Sequence, residues 1–307
     1  MVASRSRLLM LLLVSLAIVA LLGGCGSGAP MSGSSGKLQV VAAEDFWGSI
    51  AEQLGGDQVQ VTSIITNPAA DPHAYEPTSE DARTMAGAQI AIVNGIGYDQ
   101  WATKLLAANP SSGRTVLTVG DLLGLKDGDN PHQWYSPASV QKVIDQITAD
   151  YKKADPGHDS YFDRQRTAFE TKGLAEYDGL ISRIKSRYSG IPVGASESIF
   201  EALAPELGLK LITPHGFMNG IAEGTEPTPA DKATADKQIT DKQIEVWVYN
   251  SQNATPDVQR LNDSARAAGI PIATVTETLT PEGASFQAWQ SRELRGLQAA
   301  LAKAAGG

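Results

Sequence analysis

Cysteine and histidine are scarce in this 307-residue chain, which has one cysteine, Cys25, and four histidines. A single cysteine excludes a disulfide bond within the chain, even in an oxidising compartment. Positive charge is also limited, because 25 Lys and Arg residues face 34 Asp and Glu residues and leave a formal net charge of −9. Nucleic acid requires a basic surface, so we expect no nucleic-acid partner.

A long, mostly apolar run is found only at the N-terminus, where residues 8–22 follow Arg5 and Arg7. The run is shorter than the roughly 20 residues that a membrane-spanning helix needs. A positive segment followed by such a run is typical of a secretory signal. The run ends in LGGC, which resembles a bacterial lipobox, so we expect cleavage after residue 24 and lipidation of Cys25. Gly23 is a less usual residue at its position, and the alternative is an uncleaved anchor in which Cys25 is an incidental thiol.

Residues 25–36 are rich in Gly and Ser and predict a flexible tether with a reach of about 20 Å. Loss of residues 1–24 removes two arginines and no acidic residue, which takes the net charge from −9 to −11. We therefore expect an exported, acidic protein held by its lipid at the outer face of the cytoplasmic membrane, in a periplasm or at a cell surface.

Strand and helix patterns alternate through both halves of the remaining chain. In the first half, strand patterns at 38–43, 58–65, 89–94 and 114–119 alternate with helical patterns at 46–54, 78–88 and 98–108. Two long helical patterns follow, at 137–153 and 158–188. In the second half, strand patterns at 191–195, 209–213, 244–249 and 270–275 alternate with helical patterns at 198–207, 231–242, 256–268 and 286–304. This alternation predicts parallel βαβ units and an α/β fold class, with ligands at the carboxyl ends of the strands.

The domain organisation predicted from this pattern is two α/β lobes joined by one long helix. We expect the N-terminal lobe at residues 37–155, the connecting helix at 156–189 and the C-terminal lobe at 190–307.

Two of the four histidines lie in near-duplicate polar turns, each directly after a proline. His73 lies in the sequence DPHAYEP, and His132 lies in NPHQWYSP. Proline fixes its own φ and restricts the residue before it, so each imidazole leaves the backbone from a stiff loop. Histidine is the commonest side-chain metal ligand. The pair therefore predicts a pre-organised metal site.

These two motifs resemble those of the cluster A-I solute-binding proteins, the extracytoplasmic receptors of zinc and manganese ABC transporters. The resemblance runs from about Leu38 to the C-terminus. It implies a metal site in the cleft between the lobes and delivery of the ion to an ABC permease whose ATPase drives import. It also implies a monomeric receptor whose single helical connector limits closure on the ligand.

The resemblance further implies two ligands from each lobe. His73 and His132 match the pair from the N-terminal lobe. Glu197 takes the place of the third ligand, after the first strand of the C-terminal lobe, and Glu277 stands where the family has an aspartate. The alternatives are that Glu197 is an acid that only interacts with a helix N-terminus, and that Glu277 is a solvated loop charge. His215 is either a supporting partner of the site or a replacement for Glu277.

Two imidazoles and two carboxylates would form a mixed site. Carboxylates favour Mn²⁺ and imidazole suits Zn²⁺, so we expect one divalent transition metal, with Mn²⁺ favoured by ligand type and Zn²⁺ close behind. Binding is expected to weaken as pH falls, since a protonated imidazole cannot bind a metal.

Two other classes of function compete with a receptor. A hydrolase is suggested by Ser196, which follows a strand in GASES but lacks the final glycine of a nucleophile elbow. Only His215 follows it, there is no HExxH motif, and the proposed ligands leave no obvious base, so we expect no enzymatic activity. A surface adhesin is the second alternative, although no segment marks an adhesive surface.

Overall fold

A computed structural model describes residues 36–70 and 72–306, and the chain from Lys37 onward forms one compact unit. The predicted signal peptide, most of the predicted tether and Cys25 lie outside the described residues. None of the helices within this described part is long and apolar enough to cross a membrane.

The N-terminal half forms a lobe of four strands and five helices in its described residues. The strands are β1 (Leu38–Glu44), β2 (Val59–Ile65), β3 (Ile90–Val93) and β4 (Thr115–Thr118). The helices are α1 (Asp45–Gly55), α2 (Ser79–Gly87), α3 (Gln100–Ala108), α4 (Val119–Leu123) and α5 (Pro137–Ala154). Short 3₁₀ turns are present at Gly56–Gln58 and Gln133–Tyr135.

The C-terminal half repeats the plan. Its strands are β5 (Pro192–Ala195), β6 (Lys210–Leu211), β7 (Val246–Asn250) and β8 (Ile272–Val275). Its helices are α8 (His215–Ala222), α9 (Pro229–Thr240), α10 (Pro256–Ala268) and α11 (Phe286–Ala305).

The two sheets have the same topology and are wholly parallel among the described strands. The first has the order β2-β1-β3-β4 and the second the order β6-β5-β7-β8. The central strands are buried, because helices cover both faces of a parallel sheet. Carboxyl ends of parallel strands share one edge, so residues that follow β2, β5, β7 and β8 gather at the edges of their sheets.

A helical segment joins the lobes, as predicted, but it is not one regular helix. A 3₁₀ turn at Pro156–His158 leads into α6 (Asp159–Ala168), a π-helical turn at Phe169–Gly173 and α7 (Ala175–Tyr188). A Cβ at Gly173 would lie 2.9 Å from the Phe169 ring, so glycine permits this close packing in the π turn. The side of α7 that carries Tyr177 and Ile184 is buried, and α7 packs against α11.

Four element predictions need correction. The helix predicted at 198–207 is a 3₁₀ turn at Ser198–Phe200 followed by irregular turns. Pro205 lacks the N–H that a regular helix needs there, and Gly208 ends the segment with a φ of +68°. The strand predicted at 209–213 is only two residues long. Helices α4 and α8 were not predicted, because α4 has five residues and α8 is built on a Gly-rich sequence.

Candidate metal centre

The two motif histidines come from separate loops of the N-terminal lobe. His73 lies between β2 and α2 and is half-buried, and His132 lies just before the 3₁₀ turn at Gln133–Tyr135 and is fully buried. The loop of His132 is held to the sheet by Asn94, which follows β3 and donates from Nδ2 to the Pro131 carbonyl at 3.0 Å. The His73 loop follows β2 and the His132 loop is tied to the end of β3, so both imidazoles lie at the carboxyl edge of the first sheet.

Glu277 approaches these histidines from the C-terminal lobe, two residues after β8. One candidate ligand atom from each of His73, His132 and Glu277 lies within 4.8 Å of the others. His132 Nε2 is 3.8 Å from Glu277 Oε1. Two ligands about 2.1 Å from one ion at a tetrahedral angle would lie about 3.4 Å apart. The three side chains thus have a spacing that fits a single divalent ion.

The carboxyl group of Glu277 is held in its ionised form. Burial alone raises its pKa, but His132, His73 and Tyr98 outweigh burial and leave the pKa below its usual value. Its oxygens accept weak hydrogen bonds from Tyr98 Oη at 3.4 Å and from Asn250 Nδ2 at 3.5 Å. A buried carboxylate between two imidazoles provides negative charge where a cation would bind.

Asn130 determines which nitrogen of His132 is available. Its Nδ2 donates to the Ser198 carbonyl at 2.8 Å and to Glu201 Oε2 at 3.1 Å, both in the C-terminal lobe. Its Oδ1 therefore accepts, and it receives the His132 backbone N–H at 3.0 Å and the Nδ1–H at 2.8 Å. Because Nδ1 carries the proton, the lone pair is on Nε2, the atom that faces Glu277.

Tyr98 is the aromatic residue in contact with both histidines. Its ring packs edge-on against His73, with centroids 4.6 Å apart, and against His132 at 6.1 Å. The loop before it contains three successive residues with positive φ, Gly95, Ile96 and Gly97, and Asp99 accepts the backbone N–H groups of Asn94 and Gly95. Isoleucine rarely adopts a positive φ, so the backbone at Ile96 is strained. This strained loop leads directly to Tyr98 and places its ring.

Glu197 is fully buried, two residues after β5, at the start of the 3₁₀ turn Ser198–Phe200. The structure does not place it in the group formed by His73, His132 and Glu277. Strand β7 separates β5, which leads to Glu197, from β8, which leads to Glu277. The last residue of β7, Asn250, lies between these two positions along the edge of the sheet. The backbone N–H of Asn250 donates to Ser196 Oγ at 3.0 Å.

His215 is not brought to the group either. It is the first residue of α8, its side chain is 69% exposed, and its Nδ1 lies 2.8 Å from Glu201 Oε1. Ser196, the candidate hydrolase nucleophile, is fully buried instead.

The metal centre opens into a cavity of about 320 Å³. Its walls include His73 and Glu277, Pro68 from the His73 loop, and Asn250, Gln252 and Asn253 from the C-terminal lobe. This is far more room than a bare ion needs and leaves space for several waters. Asn250 and Gln252 were not predicted beside the candidate ligands, since their only sequence signal is their position at or just after the end of a strand.

A family model described as the zinc-uptake complex component A, periplasmic, matches residues 40–300 of the chain. The chain belongs to this family. Its members are metal-binding substrate-binding proteins of ABC transporters rather than enzymes, so the resemblance found in the sequence and the prediction of no enzymatic activity are confirmed.

Named relatives bind different metals. The chain is 30% identical over 190 residues to the iron-binding protein YfeA of Yersinia pestis, a match that covers 58% of this chain and 60% of that relative. It is 25% identical over 302 residues to the manganese ABC transporter substrate-binding lipoprotein PsaA of Streptococcus anginosus, which covers 92% of this chain and 93% of that relative. The family therefore does not determine the metal of this chain.

Solved structures confirm the fold. The manganese-bound periplasmic metal binding protein of Candidatus Liberibacter asiaticus superimposes with a TM-score of 0.70 at 21% identity, over 86% of this chain and 100% of that chain. The predicted architecture of two α/β lobes is thereby confirmed.

Proposed function

We propose that this protein captures one divalent transition metal ion between its lobes and delivers it to an ABC-type permease for import. The observation that best supports this proposal is that candidate ligand atoms of His73, His132 and Glu277 lie within 4.8 Å of one another. The two histidines come from one lobe and the carboxylate from the other, so the ion would bridge the lobes. Residues 37–155 and 190–307 act as the two lobes, with 156–189 as their connector.

Glu197 is proposed as the fourth ligand. It is fully buried at the carboxyl edge of the second sheet, after β5. Strand β7 lies beside β5, and β8, which leads to Glu277, lies on the other side of β7. Carboxylate oxygen is a ligand type that suits Mn²⁺, and Glu197 stands at the position where the resemblance places the third ligand.

Ligand type supports Mn²⁺, with Zn²⁺ close behind. Two carboxylates favour Mn²⁺, while the two imidazoles bind Zn²⁺ well and the general affinity order places Zn²⁺ above Mn²⁺. Selectivity between them depends on how many ligands the closed site presents, since Mn²⁺ accepts a larger oxygen-rich shell.

Export and lipid attachment through Cys25 are part of the proposal. Relatives with lipoprotein and periplasmic descriptions support export of this chain, and the LGGC sequence supports lipidation. The partners would be a membrane permease and its ATPase, with the receptor acting as a monomer.

The test is a competitive titration of metal-stripped protein, residues 37–307, with Mn²⁺ and Zn²⁺. We expect one tightly bound ion per chain in the wild type. Glu277→Ala and His132→Ala are expected to lower affinity by more than about 100-fold, because changes to residues that only support ligands already cost about 10–100-fold. His215→Ala serves as the matched control and should bind like the wild type.

Glu197→Ala tests the fourth ligand separately. A large loss of affinity in this variant would establish the four-ligand set, and wild-type affinity would remove Glu197 from it. Absence of stoichiometric binding by the wild type would contradict the proposed function.

A further inference from the structure

One side chain outside the proposed ligand set joins the two sides of the metal centre. Gln252 follows β7 in the C-terminal lobe, and its amide group uses both its donor and its acceptor atoms. Nε2 donates to the Pro68 carbonyl at 2.7 Å and to Thr278 Oγ1 at 2.9 Å. Oε1 accepts from the backbone N–H of Glu277 at 2.6 Å and of Thr278 at 3.2 Å. The hydrogen-bonding capacity of the amide is therefore fully used.

The partners of Gln252 belong to different lobes. Pro68 lies in the loop between β2 and α2 that leads to His73, in a turn closed by the Ala70 N–H and the Asn67 carbonyl at 2.9 Å. Glu277 and Thr278 form the turn after β8. One amide thus connects the loop of an N-terminal ligand to the backbone of the C-terminal ligand.

The backbone of Gln252 is also held in place. The backbone N–H of Gln252 donates to Asn250 Oδ1 at 2.9 Å, and Asn250 is a fully buried residue that also donates to Glu277. Movement of the His73 loop away from the C-terminal lobe would break the bond to Pro68. The Gln252 Oε1 would still accept from the Glu277 backbone N–H, so the turn that carries Glu277 would keep its place.

We infer that Gln252 is a positioning residue that couples the separation of His73 and Glu277 to contact between the lobes, and that it controls how slowly the bound metal is released. This inference rests on the proposed function. The Pro68 bond is the only one of the four that crosses between lobes, so its loss should open the site on the His73 side while the C-terminal turn is retained.

Two substitutions separate these bonds. Gln252→Met has a similar shape and removes all four. Gln252→Glu keeps an oxygen to accept from the Glu277 backbone but replaces the donor to Pro68 with a second oxygen. The added negative charge of Gln252→Glu would by itself hold a cation more tightly. Faster release from that variant would therefore report the lost contact and not the charge.

Asn253 provides the matched control. It lines the same cavity, but its Nδ2 donates at 3.0 Å to the Ile221 carbonyl within its own lobe. Asn253→Ala removes an amide from the cavity wall and leaves the contact between the lobes intact.

The experiment measures metal release from loaded protein into excess chelator by stopped flow, with Zn²⁺ and Mn²⁺ as probes. We expect both Gln252 variants to release metal at least about tenfold faster than the wild type, and Asn253→Ala to stay within about twofold. Visible spectra of the Co²⁺-loaded proteins give a second readout, because they report coordination geometry. Both Gln252 variants should show a changed spectrum and the control should not.

Wild-type release rates and Co²⁺ spectra in both Gln252 variants would overturn the inference. Equal acceleration by Asn253→Ala would also overturn it, by showing general loosening of the cavity. Failure of the wild type to bind metal at all would instead contradict the proposed function.

Discussion

At the scale of single residues, the candidate metal centre contains side chains that fix the candidate ligands in place. Asn130 shows this most clearly. One oxygen holds both the backbone and the ring of His132, and the amide nitrogen reaches Ser198 in the other lobe. This arrangement sets the tautomer that leaves Nε2 free for a metal.

Asn130→Ala is expected to lower metal affinity by about 10–100-fold, the usual cost of losing a group that orients a metal-bound histidine. Isothermal titration of the stripped protein measures this. Asn130→Asp keeps an oxygen that accepts from Nδ1 but cannot donate to the Ser198 carbonyl, and it sets a second carboxylate against Glu201, whose Oε2 lies 3.1 Å from the Asn130 amide nitrogen. It should lose less affinity than Asn130→Ala. An equal loss in both variants would show that the contacts of the amide nitrogen with Ser198 and Glu201, and not the orientation of His132, are what matters.

At the scale of secondary-structure elements, packing of α1 on the first sheet is set by a glycine. A Cβ at Gly48 would lie 2.0 Å from Ser63 Oγ on β2 and 3.4 Å from Ala42 Cβ on β1. A Cβ at Gly48 would therefore force the Ser63 hydroxyl to turn away and would press on Ser63 Cβ at 3.3 Å. The same helix places Phe46 against Trp134, whose ring contacts His132.

Gly48→Ala is expected to destabilise the metal-free protein by about 1–3 kcal/mol through overpacking. Chemical denaturation measures the change in the free energy of unfolding. Gly296→Ala in α11 is the control, because a Cβ there meets no atom within 4 Å and alanine favours a helix. Its stability should be unchanged or slightly increased. Equal stability of Gly48→Ala and wild type would contradict the close packing described here.

The sequence predicted most elements because their signals are local. Thr78 begins α2 with a capping box in which its hydroxyl accepts from Asp81 N and the Asp81 carboxylate accepts from Thr78 N. The helix predicted at 198–207 is absent because Pro205 has no N–H to donate within it. Residues such as Tyr98, Asn250 and Gln252 were missed as site residues, since only the order of the strands brings them to the histidines.

At the scale of the whole molecule, buried acidic groups affect how stability depends on pH. Burial, followed by the charges of Asp99 and Asp45, raises the pKa of Glu44 well above its usual value. Burial also raises the pKa of Asp45 to about 7 and that of Asp99 to about 6. All three lie at or near the carboxyl edge of the first sheet, so the folded lobe binds protons there more tightly than the unfolded chain does.

The sign of the effect follows from these raised pKa values. Above pH 4 the unfolded chain ionises these acids while the folded protein resists, so their contribution to stability falls as pH rises towards 7. We expect the metal-free protein to melt at a higher temperature at pH 5 than at pH 7.5, by at least about 2–4 °C. Scanning calorimetry measures this, and Asp45→Asn should reduce the pH dependence. A melting temperature that falls steadily between pH 7.5 and pH 5 would contradict it.

Metal binding should depend on pH in the opposite direction. His73 and His132 must be unprotonated to bind an ion, so acidification weakens binding even as it stabilises the metal-free fold. Mild acid would therefore favour an intact, empty protein over an unfolded one.

The most direct test of the metal centre is the anomalous diffraction of Mn²⁺-loaded crystals, measured on both sides of the manganese absorption edge. We predict one strong anomalous peak between the lobes, in bonding contact with His73, with Nε2 of His132 and with the Glu277 carboxylate. A peak at His215 or elsewhere on the surface, with His73, His132 and Glu277 free of metal, would contradict the account.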